Sequence, residues 1–227
     1  MNVLIIGATS GIGRGLWRHY ASLGHRVAVM ARRARLLDDM TAEFPENTYA
    51  QCCDVADCES FDKAFSEIMA RLGYIDLAVV CAGIGELNPS LDDDVECATV
   101  AVNVSGWTNA VVKVYRQLEA RGNGHLVTIT SVGGMQPTPV APAYSASKAY
   151  QINYTRSLQR KAKGSGIIVT EVRPGLVDTR MAKGEGLFWV MPLDRVVKSV
   201  VRAIDNRSRL AIVTKRWCLI NWLLKHF

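Results

Sequence analysis

The sequence predicts a doubly wound α/β domain, with a seven-stranded parallel sheet and helices on both faces. Short apolar runs alternate with amphipathic segments along all 227 residues. The runs are continuous in Val, Ile and Leu, which is typical of parallel strands covered on both faces. No Pro/Ser-rich linker or internal repeat divides the chain, and its length suits a single large α/β domain.

The apolar runs predict seven strands, at residues 3–6, 26–30, 48–52, 75–80, 125–130, 167–172 and 210–213. The amphipathic segments between them predict six helices, at residues 12–23, 34–43, 59–72, 93–120, 142–163 and 193–205. Right-handed crossovers through these helices give a doubly wound sheet. We expect one domain over residues 1–214, followed by an apolar helical extension over residues 215–227.

The composition argues against several classes of protein. The net charge of +6 is spread along the chain, and no nucleic-acid-binding module is found. The six cysteines fit neither a disulfide framework nor paired zinc ligands, so we expect reduced thiols and no metal site. The chain has no uninterrupted apolar run of about 18 residues and no signal-peptide pattern at its start, so we expect a cytoplasmic protein.

A glycine-rich segment, GATSGIG, directly follows the first predicted strand and opens the first predicted helix. Gly7, Gly11 and Gly13 allow a tight turn and a close approach of the backbone to a pyrophosphate, which a helix N-terminus stabilises. In this strand–turn–helix context the segment favours a dinucleotide site of the Rossmann type. The spacing differs from the common Gly-x-Gly-x-x-Gly, and an ordinary glycine-rich connection is the alternative.

The second predicted strand ends in AVMARR, where a dinucleotide site recognises the adenosine ribose. An Asp or Glu at this point binds a free 2′-hydroxyl, whereas an Arg accommodates a 2′-phosphate. The chain has Ala31 followed by Arg32 and Arg33, with no acidic residue, and so favours NADP(H) over NAD(H). The alternative is a solvated basic helix start, although cations are unfavourable at a helix N-terminus.

Six motifs occur in order along the chain: GATSGIG, CAG at 81–83, NVSG at 103–106, Ser131, YSASK at 144–148 and RPGLVDT at 173–179. In order and spacing this set resembles the short-chain dehydrogenase/reductase family, over nearly the whole chain as far as about residue 213. One position departs from the family pattern. Cys81 stands where the family often has the second Asn of Asn-Asn-Ala-Gly, while the Ala-Gly that follows is kept.

The resemblance implies an oxidoreductase that transfers a hydride between a nicotinamide cofactor and a carbonyl/alcohol substrate. It implies a catalytic set of Asn103, Ser131, Tyr144 and Lys148. It also implies a set of cofactor contacts. At the adenosine half these are Gly7, Ser10, Gly11, Ile12 and Gly13 for the pyrophosphate and adenosine ribose, Arg32 for the 2′-phosphate, and Asp54 and Val55 for the adenine. At the other half they are Ala82 and Gly83 for the ribose and Pro174, Gly175, Val177 and Thr179 for the nicotinamide, and Asn103, Tyr144 and Lys148 belong to both the catalytic and the cofactor set.

The YSASK motif suits proton transfer because residues four apart share one face of a helix. A free Tyr titrates near pH 10, roughly, and a neighbouring ammonium favours its phenolate. The resemblance further implies that Lys148 holds the cofactor ribose, that Ser131 hydrogen-bonds the substrate oxygen and that Asn103 positions a water in a proton relay. Taken alone, Tyr144 and Lys148 also fit an ordinary amphipathic helix, Ser131 a turn and Asn103 a brace.

The substrate side of the site is expected around Met135, Gln136, Val140 and residues 176–189. Residues 181–190, MAKGEGLFWV, combine glycines with bulky apolar side chains, as a mobile lid over an apolar pocket would; an ordinary surface loop is the alternative. We therefore expect a small, apolar carbonyl or alcohol. Sugar, steroid, fatty-acyl and xenobiotic carbonyls are all compatible with the motifs, because a fold does not fix a substrate.

The extension at residues 215–227 is apolar on most sides, with two tryptophans and flanking basic residues. It suits packing within the protein or an oligomer, a cover over the pocket, or peripheral contact with a membrane surface. The family resemblance implies a homodimer or homotetramer formed through the helices at 93–120 and 142–163. The alternative to an enzyme is an NADP(H)-binding sensor or scaffold with little turnover, which would need no proton donor.

Overall fold

The structure is a computed structural model that describes residues 1–179 and 189–213. Most of the segment predicted to act as a lid, and the whole extension at 215–227, lie outside the described residues. Within the described residues, no helix combines the length and the apolar character needed to cross a membrane.

Seven strands and seven α-helices alternate along the described chain. The strands are β1 (Asn2–Ile6), β2 (Arg26–Ala31), β3 (Thr48–Cys52), β4 (Leu77–Val80), β5 (Asn123–Ile129), β6 (Gly166–Pro174) and β7 (Leu210–Val213). The helices are α1 (Gly11–Ser22), α2 (Ala34–Glu43), α3 (Cys58–Leu72), α4 (Asp93–Val100), α5 (Trp107–Arg121), α6 (Pro142–Lys161) and α7 (Leu193–Asp205). The prediction of seven strands is confirmed.

All seven strands pair in parallel, in the order β3-β2-β1-β4-β5-β6-β7. The order reverses between β1 and β4, and the carboxyl ends of strands at such a switch point form the usual ligand crevice of an open α/β sheet. The glycine loop after β1 and the CAG motif after β4 both end at this crevice. The topology thus brings together two motifs that are about 70 residues apart in sequence.

Two apolar cores lie on opposite faces of the sheet, because successive side chains of a strand point to opposite sides. In β1, Leu4 and Ile6 join the core formed with α3, α5 and α6. Val3 and Ile5 join the core formed with α1, α2 and α7. The four side chains are fully buried, so both helical layers cover β1, an interior strand of the sheet.

The long helix predicted at 93–120 differs in the structure. A π-helical segment, Ala101–Gly106, separates α4 from α5. At its end, Gly106 packs against the backbone carbonyl of Val55, where a Cβ would collide. The π-helical segment carries Asn103, which is fully buried. π-helical turns within α-helices are often found at functional sites. The π-helical segment is therefore a candidate part of the functional site.

Candidate active site

The glycine loop after β1 has the backbone geometry that its sequence predicts. Gly7 has a φ of +87° and Gly11 a φ of +52°, which favour glycine. A Cβ on Gly7 would lie 2.6 Å from the backbone nitrogen of Ala82, and one on Gly13 would collide with the carbonyl oxygen of Gly7. At Gly7 and Gly13 the loop is therefore packed backbone against backbone. The N-terminus of α1, beginning at Gly11, lies at the cleft.

Two arginines follow β2 and have different environments. Arg33 donates from Nε and Nη2 to the hydroxyl of Thr9, at 3.0 and 2.8 Å, and so is tied to the glycine loop. The side chain of Arg32 is 56% exposed and lies 3.5 Å from Asp54 at the nearest N–O contact. Asp54 itself accepts from the backbone N–H of Ala56 at 3.0 Å.

The cleft at the switch point has a volume of about 1230 Å³. This exceeds the roughly 300–1,000 Å³ of most small-molecule sites, so a dinucleotide and a second, smaller molecule fit together. The predicted residues that line it are Gly7, Ser10, Gly11, Ile12, Gly13, Arg32, Val55, Ala82, Gly83, Ser131, Tyr144, Lys148, Pro174, Gly175, Val177 and Thr179. Asp54 and Asn103 are not among the lining residues: Asp54 lies beside Arg32, and Asn103 lies behind the wall.

Tyr144 and Lys148 lie one turn apart at the start of α6, as their spacing predicts, and both face the cleft. Ser131 follows β5 and accepts the N–H of Gly133 at 3.0 Å, which caps a short 3₁₀ turn. Gly133 lies between the two hydroxyl-bearing residues, since a Cβ there would be 3.2 Å from the Tyr144 ring and 3.3 Å from the Ser131 oxygen. Ser131 and Tyr144, which both carry a hydroxyl group, therefore lie close together on the wall of the cleft.

The protonation of Tyr144 is set mainly by burial. Burial raises the pKa of the Tyr144 phenol, and the hydrogen bond with Ser131 opposes this effect. This direction differs from the lowering expected beside an ammonium: Lys148 Nζ is 5.9 Å from the centroid of the Tyr144 ring, and burial dominates. Without a bound cofactor, Tyr144 is therefore a neutral phenol and a proton donor at neutral pH.

Lys148 is buried, with 5% of its surface exposed. Burial lowers its pKa to about 8, and the Cys81 thiol opposes this. The side chain is still mainly an ammonium at neutral pH. Its nitrogen donates to Gln151 Oε1 at 2.9 Å and, at 3.5 Å, to the backbone carbonyl of Ile129.

Asn103 acts on the backbone of the loop after β4. Its amide oxygen accepts the N–H of Ile84 and its amide nitrogen donates to the carbonyl of Ile84, both at 2.8 Å. The same nitrogen donates to Ser147 at 3.1 Å. The role suggested for Asn103 as the holder of a relay water stays a prediction, and the structure gives its side chain these protein partners.

Two lining residues, Gly85 and Cys81, and one residue buried behind Lys148, Gln151, were not among the predicted site residues. Gly85 touches the Tyr144 ring so closely that a Cβ there would lie 2.8 Å from it. Cys81 lies at the end of β4 beside Lys148, and burial raises the pKa of its thiol to about 12. Gln151 lies on α6 one turn beyond Lys148. The spacing of Gln151 from Lys148 was visible in the sequence, whereas the contact of Gly85 depends on the fold.

The far wall of the cleft begins where β6 ends. The backbone N–H of Gly175 donates to Val213 at 2.7 Å, so the end of β6 is fixed to β7. Beyond it, Asp178 and Leu176 exchange backbone hydrogen bonds with Met191, both at 2.9 Å. These hydrogen bonds connect the chain that precedes residue 180 to the chain that follows residue 188, beside the cleft. Among the described residues, no group of three or more potential ligands forms a metal site.

The fold and the cleft define a dinucleotide-binding α/β enzyme, and comparison with known proteins identifies the family. The model of the short chain dehydrogenase family matches residues 1–187, and the chain belongs to this short-chain dehydrogenase/reductase family of oxidoreductases. An uncharacterized oxidoreductase of Mycobacterium tuberculosis is 34% identical over 221 residues, which cover 93% of this chain and 87% of the relative. The predictions of fold class and family are confirmed.

Two further relatives are informative. The NADP-dependent 3-hydroxy acid dehydrogenase YdfG of Shigella flexneri is 29% identical over 180 residues, which cover 78% of this chain and 73% of that protein. The structure of an actinorhodin polyketide ketoreductase variant with NADPH has a TM-score of 0.84 and 26% identity, with coverage of 93% of this chain and 94% of that one. Family members use nicotinamide cofactors, and the glycine-rich loop at residues 7–13 and the size of the cleft fit such a group.

Proposed function

We propose that the protein is an NADP(H)-dependent oxidoreductase that interconverts a carbonyl compound and the corresponding alcohol. The observation that carries this proposal is that Ser131, Tyr144 and Lys148 line the same cleft as the glycine loop and the end of β6. A bound nicotinamide would supply or accept the hydride, and the protein would orient the reactants and move the proton.

Tyr144 is the proposed general acid for carbonyl reduction. Reduction places negative charge on the carbonyl oxygen, which needs a proton and hydrogen-bond donors. The buried, neutral phenol of Tyr144 provides the proton, and the hydroxyl of Ser131 beside it provides a hydrogen bond. In the oxidative direction the same phenol, once deprotonated, accepts the proton of the alcohol. The buried ammonium of Lys148 stabilises that phenolate.

The proposed preference for NADP(H) depends on Arg32. Its guanidinium is exposed at the edge of the cleft, and Ala31 at the end of β2 offers no carboxylate to a ribose. The ion pair with Asp54 is solvent-exposed and long, so it costs little to exchange for a phosphate. The NADPH-bound ketoreductase and the NADP-dependent dehydrogenase among the relatives agree with this choice.

We propose an apolar substrate because Ile84, Leu87, Met135, Pro137 and Val140 line the cleft. Three polar residues, Glu86, Gln136 and Thr138, also line it. Leu87 and Val140 are 51% and 44% exposed, so a substrate could still cover them. We expect the protein to work as a homodimer or homotetramer, as the family resemblance implies. Native mass spectrometry would measure that state.

The test is reduction of a panel of apolar ketones and aldehydes, followed by NADPH absorbance, with the variant Tyr144→Phe. Loss of the phenolic proton should lower the rate by about 10²–10⁴-fold, the usual contribution of a general acid, while NADPH binding changes little. Tyr150→Phe is the matched control: it lies on the same helix, its hydroxyl contacts Thr108, and it should keep its activity. NADPH binding without turnover by the parent protein on any substrate would favour the sensor alternative instead.

A further inference from the structure

A buried glutamine connects two members of the proposed catalytic set. Gln151 accepts a hydrogen bond from the Lys148 ammonium through Oε1 at 2.9 Å. Through Nε2 it donates to the backbone carbonyl of Asn103 at 2.8 Å. Gln151 and Asn103 are both fully buried. The connection runs from α6 to the π-helical segment, across 48 residues of sequence.

The direction of these hydrogen bonds is fixed by chemistry. An ammonium can only donate, and a backbone carbonyl can only accept. The glutamine amide is the group that satisfies both, since it carries one acceptor and one donor end. Hydrogen bonds in such a chain polarise one another, so donation to the Asn103 carbonyl makes Gln151 Oε1 a better acceptor for the ammonium.

The other contacts of the Lys148 nitrogen are weak. The carbonyl of Ile129 is 3.5 Å away, at the limit of a hydrogen bond. A buried ammonium without good acceptors is costly, and its charge is lost through a lowered pKa. Among the described residues, Gln151 therefore makes the shorter of the two hydrogen bonds of the Lys148 nitrogen, and such a bond favours the charged form.

We propose that Gln151 is a positioning residue of the active site, which holds the Lys148 ammonium toward the cleft and locks α6 to the π-helical segment through the Asn103 carbonyl. The link to catalysis rests on the proposed function, because it is through Lys148 that Gln151 would act on Tyr144. The effect of Gln151 on the charge of Lys148 does not depend on the proposed function and can be measured separately.

Within residues 1–179 and 189–213, two titratable groups face the Lys148 ammonium. Cys81 approaches it from the end of β4, and Tyr144 lies one turn before it on α6. Both are neutral at pH 7, because burial raises the pKa of each. Changes at Gln151 should therefore appear directly in the titration of Lys148.

The test is the pKa of Lys148, read by NMR from the ¹³Cε shift of lysine-labelled protein without cofactor and assigned by its loss in Lys148→Met. Gln151→Met removes both hydrogen bonds at similar volume and should lower the pKa by about one unit. Gln151→Glu places a carboxylate beside the ammonium and should raise the pKa by a similar amount. Gln159→Met, which removes a half-buried glutamine farther along α6, should leave the pKa unchanged.

The proposal is overturned if the Lys148 pKa stays the same in any Gln151 variant that folds. Because the two variants should shift it in opposite directions, one folded variant is enough to decide. With an active substrate, the high-pH limb of the reduction rate should move to lower pH in Gln151→Met and to higher pH in Gln151→Glu, whereas a merely structural role would lower the rate equally at all pH values. If Tyr144→Phe left turnover intact, the proposed function would fail while the Lys148 titration still tested Gln151.

Discussion

Arg32 and Arg33 are neighbours in sequence, but their guanidinium groups are placed for different tasks. Arg33 makes two hydrogen bonds to Thr9 and so braces the glycine loop. Among the described residues, the guanidinium of Arg32 has a long, solvent-exposed contact with Asp54, which contributes about 0–1 kcal/mol. It can therefore turn to a phosphate at little cost, with the paired hydrogen bonds that a guanidinium makes to oxyanions.

Arg32→Asp should weaken NADPH binding by about 10–100-fold, since a charged hydrogen-bonding partner is replaced by one that repels a phosphate. NADH binding should improve or stay the same, because a carboxylate here can accept from a ribose hydroxyl. Fluorescence titration with both nucleotides measures the change. Arg35→Asp is the control, an exposed arginine on α2 with the same change of charge. Equal loss in the two variants would point to a general charge effect rather than a phosphate contact.

At the residue scale, motifs predicted most of the cleft because glycine geometry is local. The positive φ of Gly7, and the collision that a Cβ on Gly13 would make with the Gly7 carbonyl, both lie within one continuous strand–turn–helix unit. Gly85 was missed because it contacts the Tyr144 ring only in the folded chain, and Gln151 because its bond to the Asn103 carbonyl spans 48 residues. Their contacts join segments far apart in sequence, and no short motif records them.

The elements around the site show how α6 is held in place. Its first residue is Pro142, which suits the first helical turn. The preceding Ala141 offers no side-chain cap. Instead Glu96, on α4, accepts the backbone N–H of Ala143 at 3.0 Å with one oxygen and the amide of the buried Asn88 at 3.0 Å with the other. A carboxylate at a helix N-terminus is favourable both as a cap and with the helix dipole.

Glu96→Ala should destabilise the protein by about 1–2 kcal/mol, because it removes the cap of α6 and leaves Asn88 without this acceptor. Since Tyr144 is the residue after Ala143, reduction activity should also fall. Urea unfolding measures the first effect and the NADPH assay the second. Glu67→Ala, an exposed position on α3, should change stability by less than about 0.5 kcal/mol. A Glu96→Ala protein as stable as the Glu67→Ala control would show that water replaces the cap.

At this scale the sequence predicted each strand and most helices to within a few residues. The exception is the helix at 93–120, whose amphipathic pattern runs through the π-helical segment without a break. The cause lies in tertiary contacts: Gly106 meets the Val55 carbonyl, and Asn103 pairs with the Ile84 backbone. One extra residue per turn accommodates both contacts, and hydrophobic periodicity does not report such a local change.

For the molecule as a whole, a buried histidine affects the dependence of stability on pH. His125, on β5, contacts the hydroxyl of Thr170 on β6 through Nε2 at 2.8 Å. Thr170 donates its own hydrogen to the carbonyl of Ser208, so His125 must be the donor and carries its proton on Nε2. Burial, with a smaller contribution from Arg207, lowers the pKa of His125 to about 4.

The unfolded chain binds a proton at His125 near pH 6.5, whereas the folded protein does so only near pH 4. Stability due to the neutral ring is thus fully present above about pH 6.5 and is lost as the pH falls to about 4, by about 3 kcal/mol in total. Urea unfolding between pH 4 and 8 should show this loss. His125→Gln keeps an N–H donor without a titrating ring, so its stability should vary less across that interval. Parallel curves for the two proteins would contradict the prediction.

The backbone bonds that join Leu176 and Asp178 to Met191 have a consequence for how such a protein diversifies. They fix the two chain ends between which residues 180–188 are inserted, independently of what those residues are. One end continues from the strand proposed to face the nicotinamide, and the other leads into α7 within the core. We therefore expect that residues 180–188 can be replaced by the corresponding segment of a relative. Such a replacement should change which substrates the proposed enzyme accepts and should leave its binding of the dinucleotide unchanged.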